Sequence, residues 1–66
     1  MKVLANGEPH AVPAGTTVAD LVAALTGQQT GIAVALNGEV VPRRAWPART
    51  LGEGDQVEVV TAVQGG

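Results

Sequence analysis

Few groups in this sequence of 66 residues could take part in a reaction, and the carboxylate of Gly66 is the foremost candidate. The sequence contains no cysteine, so it has neither a thiol nucleophile nor the ligands of a zinc–thiolate site. The single histidine, His10, cannot build a metal site by itself, and its position near a predicted edge strand indicates a surface residue. We therefore predict that the chain has no catalytic residue and no metal site of its own.

Gly65 and Gly66 together form a segment without side chains. Because glycine has no Cβ, its backbone can approach another surface closely and adopt conformations that other residues cannot. Such a thin segment could enter a narrow catalytic channel, where the carboxylate of Gly66 would be unhindered for attack on a phosphate. The alternative is an ordinary frayed end of two small residues. We predict that Gly66 is the modified residue and that Gly65 is its spacer.

The charge and hydropathy of the chain restrict its partners and its location. Four Lys and Arg residues against six Asp and Glu residues give a formal net charge of −2. Nucleic-acid binding depends on clustered basic residues, so no nucleic-acid partner is expected. No apolar stretch reaches the roughly 18 residues that would span a bilayer, and the first residues lack the apolar run of a signal peptide. We therefore expect a cytoplasmic protein without membrane contact.

Two Asn-Gly pairs predict two β-hairpins, because this dipeptide accepts the positive φ angles of a two-residue turn. The turns are Asn6-Gly7 and Asn37-Gly38. Pro9 lacks an amide donor for the ladder, which places the second arm of the first hairpin at a sheet edge. The predicted arms are residues 2–5 and 8–12 for the first hairpin, and residues 32–36 and 39–41 for the second.

One helix of about ten residues is predicted between the hairpins, since apolar residues recur there with helical spacing. Thr17 is its candidate N-cap, Asp20 favours its positive end, and Gly27 is a plausible C-cap. The chain is expected to be irregular over residues 43–50, with Trp46 packing over the core rather than stacking on a ligand. Residues 56–63 alternate as a last strand, which leads toward the two terminal glycines. The apolar stripe of the helix consists of Val18, Leu21, Val22 and Leu25.

The order β-β-α-β-β-β and a set of short motifs resemble the sulfur carrier proteins of thiamine biosynthesis, the ThiS family. The resemblance covers nearly the whole chain, and the ordered set is far more specific than any single motif. The matching residues are Asn6-Gly7, Gly15-Thr16-Thr17-Val18, Leu21, Leu25, Ala35-Leu36-Asn37-Gly38, Val41-Pro42-Arg43, Trp46, Gly54-Asp55 and Gly65-Gly66.

The resemblance implies an α+β fold of the ubiquitin-like β-grasp type. In that fold the first and last strands run parallel at the centre of a mixed sheet, and one helix packs across one face. Residues 1–64 would form this domain, and residues 65–66 would form a flexible diglycine tail.

The resemblance also implies a protein that is acted on by enzymes and is not itself an enzyme. A partner adenylating enzyme would use Mg-ATP to activate the carboxylate of Gly66, and the chain itself would bind no cofactor. A sulfurtransferase and cysteine desulfurase system would convert the adenylate to a thiocarboxylate. A thiazole synthase would then receive the sulfur for the thiazole ring of thiamine.

Ubiquitin-like proteins dock partners on the sheet face away from the helix, and the resemblance implies the same here. Strand alternation assigns Val60, Ala62, Ala35, Val40 and Glu58 to that face. Arg43 is a further candidate, which would pair with acidic groups of the activating enzyme. An ordinary exposed surface, with Arg43 and Arg44 as a solvated pair, remains the alternative.

Two other functions stay open at this point. One is the small sulfur-carrier subunit of molybdopterin synthase, although those proteins are usually longer and carry aromatic residues near the tail. The other is a β-grasp binding module that carries no sulfur, which the lack of a basic patch and the diglycine end disfavour.

Overall fold

A mixed sheet of five strands with one α-helix across one face forms the architecture of the chain. The computed structural model describes residues 1–27 and 30–61. The strands follow the spatial order β2-β1-β5-β3-β4, and the predicted sequence of five strands around one helix is confirmed. The elements are β1 (Lys2–Ala5), β2 (Glu8–Ala11), α1 (Val18–Leu25), β3 (Ile32–Leu36), β4 (Glu39–Val40), a 3₁₀ helix (Arg43–Ala48) and β5 (Gln56–Thr61).

The first and last strands lie side by side and run parallel, as predicted. In this pair Leu4 lies opposite Gln56 and Ala5 lies opposite Val57. On its other side β5 pairs with β3 in the antiparallel sense, with five residues of each strand in register. The last strand therefore lies between the two hairpins and joins them into one sheet.

Both Asn-Gly turns adopt the predicted conformation. Asn6 and Asn37 each have a φ of 51°, and the glycines that follow have φ angles of 83° and 85°. Positive φ at both central residues is the signature of a type I′ turn, whose twist matches that of the two strands it joins. The first hairpin places β2 at one edge of the sheet, as Pro9 predicted. The second hairpin places β4 at the other edge.

Helix α1 begins as predicted and ends earlier than predicted. The hydroxyl of Thr17 accepts from the Asp20 amide at 3.1 Å, and the Asp20 carboxylate accepts from the Thr17 amide at 3.1 Å. This reciprocal pair is a complete capping box, with aspartate in the place where glutamate is usual. The C-cap is Thr26 rather than Gly27, because the backbone of Thr26 is already extended at a φ of −153°. The helix is consequently eight residues long.

The segment that was expected to be irregular forms a 3₁₀ helix, so that part of the prediction is wrong. Its first turn is closed by the Ala45 amide, which donates to the carbonyl of Pro42 at 2.8 Å. The indole N–H of Trp46 donates to the carbonyl of Val41 at 2.9 Å, and the residue is only 7% exposed. Trp46 is thus a packing residue, as predicted. A 3₁₀ helix this short presents no apolar periodicity from which it could be predicted.

The core lies between the sheet and the helix. Its side chains are aliphatic apart from Trp46, and strand alternation brings them to one face of the sheet. None of the helices within residues 1–27 and 30–61 is long and apolar enough to cross a membrane. The buried residues are Val3, Ala5, Val18, Leu21, Val22, Val34, Leu36, Val41, Trp46, Leu51 and Val57.

Candidate functional site

Strand β5 is the element that leads toward the predicted site of chemistry. It is paired with β1 on one side and with β3 on the other, and Val57 near its start is 1% exposed. The pairing with β3 continues to Thr61, which lies five residues before Gly66 in the sequence. The predicted modified residue Gly66, its spacer Gly65 and the docking candidate Ala62 lie outside the described residues.

Two asparagine side chains hold β5, a role that was not predicted from the sequence. The Asn6 carboxamide contacts the backbone of Val59, and the Asn37 carboxamide contacts the backbone of Gln56. The Asn-Gly pattern predicts both residues only as turn formers. The choice of asparagine at these positions was informative, because glycine would suit a type I′ turn equally well. Only asparagine also offers a side chain that can bind a neighbouring strand.

Four of the predicted docking residues lie together on the face of the sheet away from α1. Ala35, Val40, Glu58 and Val60 line a shallow depression with a volume of about 230 Å³, which Ala33 and Val34 complete. The register explains this grouping, because Ala35 lies opposite both Glu58 and Val40 in neighbouring strands. Val40 is 75% exposed and Val60 is 57% exposed, so two large apolar side chains face solvent here. We call this surface the open face.

Arg43 is not among the residues that line the open face. It begins the 3₁₀ helix, and its guanidinium carbon lies 5.2 Å from the centre of the Trp46 ring. Arg44 is also exposed. The cation–π contact leaves the charge of Arg43 at the surface beside a buried ring.

The described residues contain no group of three or more His, Cys, Asp and Glu side chains that could hold a metal ion. A second depression, also of about 230 Å³, lies on the helix side of the sheet near the end of α1. His10 and Glu8 on the edge strand β2 contribute its ionisable groups, and His10 is partly buried. Two such residues without a third ligand do not make a metal site.

The central parallel pair, the flanking hairpins and the single helix across one face define the class of the protein as ubiquitin-like β-grasp. The crystal structure of the thiamine biosynthesis protein ThiS from Geobacter metallireducens superposes with a TM-score of 0.85. That protein is 38% identical in sequence, and the match covers 100% of both chains. The model of the ThiS family matches residues 3–66, and the chain belongs to the ThiS family.

Two sequence relatives describe this family further. The chain is 35% identical over 66 residues to the sulfur carrier protein ThiS of Escherichia coli (strain K12), with 100% of both chains covered. It is also 44% identical over 66 residues to a thiazole synthase of Magnetococcus marinus, of which it spans only 20%. As a ThiS-family member, the chain is a sulfur carrier protein of thiamine biosynthesis, which partner enzymes act on, and not an enzyme.

Proposed function

We propose that the carboxylate of Gly66 is the group that carries the sulfur. The observation that carries this proposal is the position of β5, which is bound on both sides in the middle of the sheet and leads toward Gly66. The family match also extends through residue 66 and so includes both terminal glycines. In this proposal residues 1–64 form the domain that partners bind, and residues 65–66 form the tail that reaches the chemistry.

The proposed reaction activates a carboxylate and then replaces one of its oxygens. An oxygen of the Gly66 carboxylate attacks the α-phosphorus of ATP, and pyrophosphate leaves with the negative charge. The carbonyl carbon of the resulting acyl adenylate is a good electrophile, and the terminal sulfur of a donor persulfide attacks it as AMP leaves. A thiol then reduces the S–S bond of the resulting acyl disulfide by forming a disulfide with the donor's sulfur, and a thiocarboxylate remains on Gly66.

The proposed partner enzymes supply every catalytic group for these reaction steps. They are an activating enzyme that binds Mg-ATP, a sulfurtransferase and cysteine desulfurase system, and a thiazole synthase that accepts the sulfur. The thiazole synthase is supported by the similarity of the chain to one fifth of such a protein, since a carrier segment attached to a synthase indicates that the two work together. Dependence on ATP and on these enzymes favours a cytoplasmic location, which remains a prediction.

The proposed function is tested by the intact mass of the chain after incubation with ATP, a thiamine-pathway activating enzyme and a sulfur donor. We expect a mass increase equal to the replacement of one oxygen by sulfur, and peptide mapping should locate it at Gly66. A parallel incubation uses the activating enzyme of molybdopterin biosynthesis. Modification only in that incubation would assign the chain to the molybdopterin pathway, and modification in neither would refute the carrier function.

We further propose that the open face is where the activating enzyme docks, and Val60→Asp tests this. Val60 is 57% exposed, so the substitution should leave the core intact while placing a charge in an apolar contact. We expect the affinity for the activating enzyme to fall about tenfold, which corresponds to roughly 1.4 kcal/mol, a typical effect for an apolar interface residue. Isothermal titration calorimetry with the purified enzyme would measure it.

The matched control is Ala23→Asp, which adds the same charge to an exposed position of α1. We expect the affinity of this variant to stay within about twofold of the unsubstituted chain, because its change in net charge is identical and its location is different. Circular dichroism should show that both variants are folded. Equal affinities for Val60→Asp and the unsubstituted chain would remove the open face from the docking site.

A further inference from the structure

The parallel pairing of β1 with β5 stops before β5 ends. The last residues in register are Ala5 and Val57, and the Asn6 amide then donates to the Val57 carbonyl at 2.9 Å. At Asn6 the chain turns away into β2, whereas β5 continues to Thr61. From Val59 onward, β1 therefore offers β5 no further backbone partner.

The side chain of Asn6 supplies one more rung of the ladder. Its Oδ1 accepts from the Val59 amide at 2.9 Å, and its Nδ2 donates to the Val59 carbonyl at 3.1 Å. A carboxamide has the same donor and acceptor as a peptide group, so it satisfies both backbone groups of Val59. The positive φ of Asn6 directs the chain into the turn while its side chain remains against β5.

Asn37 makes a similar contact at the start of the same strand, from the opposite side. Its Oδ1 accepts from the Gln56 amide at 2.9 Å, and its own amide donates to the Gln56 carbonyl at 2.7 Å. Asn6 and Asn37 share the turn type, the φ angle and the bond to a β5 amide. They differ in the β5 residue that each one binds, because Val59 lies three residues closer to Gly66 than Gln56 does.

We propose that Asn6 is a positioning residue for the Gly66 carboxylate, which it directs by fixing β5 at Val59. This inference rests on the proposed function of Gly66. Gly66 lies seven positions after Val59, and an extended chain of that length reaches at most roughly 25 Å. Movement of β5 at Val59 shifts the point from which the segment toward Gly66 starts, and a misplacement of about 1 Å at the reacting atoms can cost a reaction roughly a hundredfold in rate.

The test compares Asn6→Gly with Asn37→Gly. Glycine accepts positive φ, so each variant keeps a type I′ turn and loses only the carboxamide. The two substitutions should lower the midpoint of urea unfolding by similar amounts, because they remove similar bonds. Any difference in activity between the two variants then shows whether the lost side-chain hydrogen bond matters at Val59 or at Gln56.

Amide hydrogen exchange measures directly, and without any enzyme, how well the Asn6 side chain protects the Val59 amide. We expect the Val59 amide to exchange about tenfold faster in Asn6→Gly, which is the effect of losing one hydrogen bond of ordinary net strength. In Asn37→Gly the acceleration should occur at Gln56 instead. Unchanged exchange at Val59 in Asn6→Gly would overturn the inference.

The rate of pyrophosphate release by the activating enzyme with Mg-ATP measures the positioning. For Asn6→Gly we expect kcat to fall about tenfold or more with little change in KM, since the open face is untouched. For Asn37→Gly both constants should stay within about twofold of those of the unsubstituted chain.

The outcomes separate this inference from the proposed function. Equal losses of kcat in the two variants would assign the effect to general stability and overturn the positioning role. Normal kcat for Asn6→Gly beside an active unsubstituted chain would overturn only the inference. An unsubstituted chain that no activating enzyme adenylates would overturn the proposed function and the positioning role together, while the exchange rates would still report the hold on β5.

Discussion

Deletion of Gly66 is expected to abolish thiocarboxylation and to leave the fold intact. The shortened chain still ends in a carboxylate, now on Gly65, but that group stands one residue, about 3.3–3.6 Å, short of its place in an extended segment. Because misplacement by about 1 Å can cost roughly a hundredfold in rate, we expect the rate of adenylation to fall by more than that factor. Intact mass after incubation with ATP, the activating enzyme and a sulfur donor measures the loss.

The fold should survive this deletion because the buried core and every strand pairing of the described residues lie at or before residue 61. Far-ultraviolet circular dichroism and the urea unfolding midpoint should therefore match those of the unsubstituted chain. Gly66→Ala is the control that keeps the length of the chain and adds only one methyl group. We expect Gly66→Ala to be modified more slowly than the unsubstituted chain. Comparing it with the deletion separates the effect of chain length from the effect of side-chain size. Modification of the shortened chain, or its unfolding, would contradict the role assigned to Gly66.

Replacement of Trp46 by alanine is expected to produce the largest loss of stability of any single substitution considered for this chain. Removing a buried tryptophan side chain typically costs about 3–5 kcal/mol in the free energy of unfolding. A domain of this size has a total stability of roughly 3–10 kcal/mol. The substitution also removes the hydrogen bond to the Val41 carbonyl and the cation–π contact with Arg43. We therefore expect a substantially unfolded population at 25 °C.

Urea unfolding followed by circular dichroism measures this loss, since Trp46 is the only aromatic side chain that could report by fluorescence. Trp46→Phe is the matched control, because it keeps most of the ring volume and removes the N–H donor. We expect it to cost about 1–2 kcal/mol, the usual penalty for leaving a buried carbonyl without its partner. A stability of Trp46→Ala within about 0.5 kcal/mol of the unsubstituted chain would show that the ring does not support the core.

The parts of the fold that could be predicted are those set by neighbouring residues. Each Asn-Gly turn was predictable because few other dipeptides accept two successive positive φ angles. The start of α1 was predictable because Thr17 and Asp20 can satisfy the free amides of the first turn. The composition of the open face was predictable too, since strand alternation and a two-residue turn bring Val40 and Ala35 to the same side.

The parts that were missed depend on contacts between distant residues or on backbone detail. The end of α1 at Thr26 instead of Gly27 follows from one extended residue, for which no local rule selects between the two positions. The hold of Asn6 on Val59 joins residues 53 positions apart, so only the assembled sheet reveals it. The candidate site itself was predicted from the glycines and the resemblance, and its assignment to Gly66 stays a prediction.

The central place of β5 has a consequence for how and when the molecule folds. Within residues 1–27 and 30–61, the β1–β2 hairpin and the β3–β4 hairpin share no strand neighbour other than β5. A nascent chain that stops before residue 56 therefore holds two hairpins that do not belong to one sheet. The pairing of β1 with β5 joins strands that are far apart in sequence. The entropy cost of closing the long loop between them comes before any pairing contact forms, so this pairing is late and slow. Completion of the fold therefore waits for synthesis of β5, the last strand of the described residues. In the proposed docking on the open face, partners meet that surface only after β5 has been made and paired, because β5 supplies Glu58 and Val60 to it.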